Sequence, residues 1–319
     1  PVPAGFLDKY ELDRIPNLAP NSQRPYRQAV ARVRRFFDRR YPGLRVDEVR
    51  PGHIREYLNW RANHLETREG VADTKTVAKD RSILSAALSY AVELELREHN
   101  PVLAVKAPKT IKRDPVLLTP EEVDRLLHEC RYSDMLYLYT LILFETGARA
   151  DSEAVRLRWE DVDLAEGFIW VPSDERHRTK SGKGRFVPMT SRLAAALRAH
   201  FAKYRLTTYS GVRPEYVLHH PRRRHRAVPG ERIKSFRRPL ARAVERAKLP
   251  EGWRRHDARH LRVTSWLADG KDLVLVQKAM GHSSVLVTMG YLHLVKENLR
   301  PLVEDAATLR ERLREELGA

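Results

Sequence analysis

Cysteine is almost missing from this chain: Cys130 is the sole one in 319 residues. That excludes an internal disulfide and a cysteine-based zinc cluster, and it suits a reducing, cytoplasmic setting. Long apolar runs are missing too. No stretch approaches the ~18 residues that a bilayer crossing requires, and Pro1 to Asp13 lacks the cationic-then-apolar layout of a secretory signal. No membrane partner is expected. Acidic residues are in deficit, with 42 Asp and Glu against 59 Lys and Arg, a formal charge of +17. Internal repeats and low-complexity tracts are absent. What remains is 42% hydrophobic and 32% charged, enough for a sizeable core, at a length that suits two domains better than one.

The positive charge is concentrated. Between Arg222 and Arg262 stand 15 Lys and Arg against four acids (Glu231, Glu245, Glu251, Asp257), whereas 301–319 has five acids and three arginines. A uniform enrichment for heat stability would not be so uneven. A basic surface of this kind attracts polyanions and releases their counterions, so nucleic acid is the expected partner.

Helical periodicity dominates the first hundred residues. Tyr26, Val30, Val33, Phe36 and Phe37 form one apolar stripe, with arginines on the opposite face, ended by Pro42-Gly43. Pro51 opens a second helix carrying Ile54, Tyr57, Leu58 and Trp60. A third is expected from Thr74 to Leu96, stopped by Asn100-Pro101. Lys106 to Arg113, four bases and no acid, reads as a linker, either a solvated hinge or a strap along a phosphate backbone. Thr119-Pro120-Glu121-Glu122 is a capping box with proline at the first helical position. The period then changes: Phe168 to Val171, a Ser181 to Gly184 turn and Arg185 to Pro188 form a hairpin signal. Helices resume at Leu193, near 235–247, at 257–268 and at 272–279, the last two stopped by Gly270 and Gly281. Leu302, Val303, Ala306, Leu309, Leu313 and Leu317 make a final apolar stripe. The fold expected is mainly α with a small β-sheet.

Six side chains carry the chemistry. Arg149 follows a Thr-Gly turn, and a planar guanidinium matches two phosphate oxygens. Lys180, beside the hairpin turn, can deliver a proton from a strand tip. His256 and Arg259, three apart at a helix start, share a face. His282 follows a helix-stopping glycine, and Tyr291 offers a hydroxyl whose anion nearby positive charge would favour. Most have an ordinary alternative: surface solubilisers for the cations, core packing for Tyr291 and His256. His256 and His260, four apart, could also pair on zinc, but an arginine between them opposes a cation and no third ligand is evident. Taken together, two arginines, a lysine, two histidines and a tyrosine suit a phosphodiester without metal or other cofactor.

The order of these segments resembles the tyrosine recombinase/integrase family of phage integrases and chromosome-resolution recombinases, over nearly the whole chain. Matching stretches are Thr146 to Arg149 with Glu153 and Leu157 to Asp163; Thr179 to Pro188; His256 to His260; and Gly281 to Ser284 with Thr288 to His293. Ala150-Asp151-Ser152 fills a space that usually holds two residues, so a bulge must absorb one more. The resemblance implies a helical core-binding domain (1–105), a basic linker (106–117), a mixed α/β catalytic domain (118–300) and a C-terminal helix for subunit packing (301–319), closed as a C-shaped clamp on double-stranded DNA. It implies a site-specific recombinase in which Tyr291 attacks the scissile phosphate to give a 3′-phosphotyrosyl link. Arg149 and Arg259 would hold the phosphate with His282 assisting, Lys180 would protonate the leaving 5′-oxygen, and His256 would act as general base. It further implies no ATP, metal or other cofactor, and a homotetramer on two duplexes. A type IB topoisomerase-like relaxing enzyme, a catalytically silent DNA-binding relative and a metal nuclease are the rival readings.

Overall fold

In the computed structural model the chain divides into two compact units, Pro1–Arg113 and Asp114–Ala319. The structure describes residues 5–63, 73–110, 113–173, 183–205, 213–223 and 227–295. Lys180 and the 301–319 helix expected from the sequence lie outside the described residues. Among the described residues the protein is mainly helical with one three-stranded sheet.

The first unit is built from α1 (Leu7–Asp13), α2 (Pro20–Arg40), α3 (Pro51–Asn63) and α4 (Thr74–Glu93). The apolar stripe read from α2 is its inner face: Val30, Val33, Phe36 and Phe37 are all buried, against Tyr57 of α3 and Leu84 and Leu88 of α4. The opposite face is not wholly solvated. Arg32 of α2 donates to Asp80 of α4 through Nε (3.0 Å) and Nη2 (2.6 Å), and buried Arg61 of α3 donates to the same carboxylate at 2.8 Å. A carboxylate that is 2% exposed persists only because these cations satisfy it. α4 stops short of the expected Leu96, because Glu95 takes a positive φ of 57°. The short α1, about two turns that bury Leu7 and Tyr10, was not expected from the sequence.

The second unit starts with α5 (Pro120–Cys130), whose capping box forms as read, with the Thr119 side chain and Glu122 exchanging hydrogen bonds with each other's backbone. Next comes α6 (Asp134–Thr146), in which Met135 to Phe144 is buried almost throughout. A helix apolar on all sides belongs at the centre of a core, and α6 packs against α5, α7 (Ser191–His200) and α9 (Asp257–Ala268). The sheet is antiparallel in the order β1 (Val162–Asp163), β2 (Phe168–Val171) and β3 (Arg185–Pro188). Alternation puts Ile169, Val171 and Val187 on the core, and it turns Arg185 inward with them. The unit continues through α8 (Arg237–Arg246), α9, α10 (Leu273–Met280) and the short α11 (Val285–Met289). No helix among the described residues is long and apolar enough to cross a membrane.

Candidate active site

Two helix C-termini meet at the centre of the site. α6 ends at Gly147 (φ 64°) and α10 at Gly281 (φ 66°), both left-handed caps. The last carbonyls of a helix have no partner within it and carry its partial negative charge, so they attract donors and cations. Arg259, buried in the first turn of α9, spans the two ends: Nη1 donates to the Gly147 carbonyl at 2.9 Å and Nη2 to the Met280 carbonyl at 2.5 Å. Five N–H groups on a guanidinium exceed what two carbonyls take. Burial, with Arg149 nearby, brings Arg259 down to about 10, still cationic at neutral pH.

Arg149 sits just beyond the Gly147 cap, about a quarter exposed, and its Nη1 donates to Glu153. The additional residue between them is absorbed in a turn: the Arg149 carbonyl accepts from both Glu153 N (2.9 Å) and Ala154 N (3.0 Å). Asp151 faces outward, where Arg255 donates to both its oxygens at 2.6 Å. Glu153 is buried, and burial alone would raise its carboxyl. Hydrogen bonds and attraction from Arg185, then Arg149, outweigh that and hold it down at about 2.

The histidines and the tyrosine close the site. His256 precedes α9, and its ring meets that of His260 edge-on at 5.0 Å. His260 in turn lies 5.3 Å from the Tyr291 ring, and His282 stacks on the other contact of Tyr291 at 5.9 Å and 6°. His282 Nδ1 stands 2.8 Å from the hydroxyl of buried Thr288. With that hydroxyl donating, the neutral ring carries its proton on Nε2. Burial first, then Arg259 and Arg149, pushes His282 down to about 4, so the ring is uncharged at neutral pH. His256 is also lowered, by burial and then by His260 and the arginines. Tyr291 departs from the sequence-based expectation. Arg259 and Arg149 do favour its anion, but burial is the larger effect and holds the phenol above its ordinary value. The phenol is therefore protonated at neutral pH.

Arg149, His256, Arg259, His282 and Tyr291 thus come together, and Lys180 lies outside the described residues. Sequence reasoning did not single out Arg185, which holds Glu153, or His260 as the ring beside Tyr291. The zinc pairing considered for His256 and His260 finds no third ligand: among the described residues no group of three or more His, Cys, Asp or Glu could hold a metal.

Gly281 gives a direct check on this packing. A Cβ there would sit 2.9 Å from Arg185 Cδ and 3.1 Å from Nη1, on a backbone that L-residues rarely adopt. Gly281→Ala is expected to lower the unfolding free energy by about 1–3 kcal/mol and to slow the chemistry. Thermal unfolding equal to the wild type would contradict it.

The fold is one shared with DNA recombinases. It matches the Tn1549 transposon integrase in complex with transposon right end DNA at a TM-score of 0.70 and 19% identity, over 95% of this chain and 98% of that one. A lambda integrase dimer bound to a COC′ core site matches at 0.69 and 19%, over 90% and 93%. Among curated relatives, tyrosine recombinase XerD of Shewanella oneidensis is 27% identical over 312 residues, 95% of each chain. Tyrosine recombinase XerC of Oceanobacillus iheyensis is 34% identical over 209 residues, 64% of this chain and 65% of that one. Residues 117–298 match the phage integrase family, and the chain belongs to that family. It is a site-specific recombinase, an enzyme of DNA recombination, and this membership does not favour the relaxing or the catalytically silent alternative.

Proposed function

We propose that the Tyr291 phenol attacks a scissile phosphate of duplex DNA, forming a P–O bond to the tyrosine at the 3′ side and breaking the P–O5′ bond. The observation that supports it most is the position of Tyr291, stacked on His282 and within electrostatic reach of both Arg149 and Arg259. In this scheme Arg149 and Arg259 hold the non-bridging oxygens, and neutral His282 donates from Nε2. His256 receives the phenol's proton, with the His260 ring in contact along that route, and Lys180 delivers a proton to the departing 5′-oxygen. Fixed cations and donors do here what a metal does elsewhere, each worth about 3–4 kcal/mol of barrier. The ester stores the bond energy, so neither ATP nor metal enters, and a 5′-hydroxyl from a second duplex rejoins the strands in exchanged order. Lambda integrase, which shares the fold, has been seen as a tetramer bound to a Holliday junction, and this chain is proposed to assemble likewise, as a tetramer on two duplexes in the cytoplasm.

The test is a denaturing gel: a protein–DNA adduct should form in EDTA without nucleotide and disappear with protease. An adduct that required a divalent metal would contradict the scheme. The pH dependence follows from His256. Its conjugate acid is depressed below the ordinary histidine value of ~6.5, so the base-competent neutral form survives further into acid. The adduct rate should stay level from about pH 8 to below 6.5 and fall only beyond. A decline centred at or above pH 6.5 would contradict a buried, neutral His256 as the base.

A further inference from the structure

Arg185 begins a strand, faces inward and is buried, with its side chain 6% exposed. It ties three separate segments. Nε donates to the Ala279 carbonyl at the end of α10 (2.8 Å), and Nη1 and Nη2 donate to Glu153 Oε1 (3.1 Å) and Oε2 (2.7 Å) as a two-pronged pair. Glu153 therefore accepts four hydrogen bonds, two on each oxygen: two from Arg185, one from the Arg149 backbone at 2.9 Å and one from Arg149 Nη1. The carboxylate has no capacity left, so the Arg149 guanidinium is held by a single prong and is partly open to solvent.

We infer that Arg185 is a positioning residue for strand cleavage: by filling both oxygens of Glu153 it stops that carboxylate from engaging Arg149 bidentately, and so leaves the Arg149 fork for the scissile phosphate. This rests on the reading that Arg149 binds the phosphate. Carboxylate and phosphate compete for the same planar donor set. With Arg185 removed, Glu153 keeps its charge only by taking more of Arg149, or it loses the charge to burial, and either outcome spoils the aim of the catalytic arginine. The close approach of Gly281 to the Arg185 side chain fixes the lock from the α10 side as well.

The experiment uses the full chain and 5′-labelled nicked duplexes carrying a sequence first selected from a randomised pool by binding to the wild-type chain, following covalent adduct at saturating DNA, with DNA affinity measured separately. Arg185→Met is expected to slow adduct formation on the order of 100-fold with affinity unchanged. Adding Glu153→Gln to it should restore on the order of 10-fold, because a neutral amide holds the Arg149 guanidinium less strongly than a carboxylate. A purely structural arginine would not be rescued by a second buried substitution. Arg185→Lys keeps the buried charge without the fork and should fall about tenfold, so it carries the test if Arg185→Met does not fold. A wild-type rate in Arg185→Lys, or a folded double variant with no recovery, overturns the assignment. If the wild-type chain itself forms no adduct, it is the reading of the whole site that falls; a normal wild-type adduct with unchanged variants removes the role of Arg185 alone.

Discussion

Tyr291→Phe is expected to bind DNA as the wild type does and to form no covalent adduct. The ring keeps its stack on His282 and its contact with His260, so packing is conserved while the oxygen proposed to attack is gone. The other groups cannot substitute: arginines do not attack, and neither histidine is placed where the phenol lies. Loss of a covalent nucleophile typically costs on the order of 10⁶-fold, which puts the variant below detection on a denaturing gel. Adduct at the wild-type level would mean that another residue attacks, and the scheme would be wrong at its core. Because the buried phenol sits above its ordinary value, His256→Ala should slow the reaction without abolishing it, which separates base from nucleophile.

The second large effect belongs to Arg259. Arg259→Ala removes the proposed phosphate ligand and at the same time the shared donor to the Gly147 and Met280 carbonyls. The first loss should slow cleavage by about 10²–10³-fold. The second leaves two buried helix-end carbonyls short of a partner and should lower stability by about 1–3 kcal/mol. Arg149→Ala offers the contrast. Its side chain is partly exposed and shares Glu153 with Arg185, so cleavage should fall on a similar scale with a smaller stability loss. Adduct rates and urea unfolding of the two variants check both halves. An Arg259→Ala chain that cleaves normally would remove the arginine from the site.

The residues that the sequence made legible are those whose signals are local. α9 and α10 follow from periodic apolar positions ended by Gly270 and Gly281, and the Thr119 capping box announces α5. The hairpin shows itself because alternation replaces the helical period at Phe168. Arg185 was hidden for the opposite reason. Following a glycine- and cation-rich turn, it reads as one more solvated base, and its burial depends on Glu153, 32 positions before it, and on Ala279, 94 after. His260 was legible as the end of a matching stretch and as half of a metal pair but not as a partner of Tyr291, which comes to it through the folding of α10 and α11. The charge balance at Tyr291 was likewise out of reach: the arginines can be read from spacing, but the burial that outweighs them exists only in three dimensions. The same applies to Ala150-Asp151-Ser152, whose one additional residue is taken up in a turn with Asp151 held by Arg255.

The most direct measurement is the chemical identity of the protein–DNA link. Adduct trapped on a nicked duplex, digested and sequenced by mass spectrometry, should carry the nucleotide on the Tyr291 peptide through a 3′-phosphate, with a free 5′-hydroxyl on the released strand. A nucleotide on any other side chain, or a 5′-phosphate on the released strand, would contradict the account.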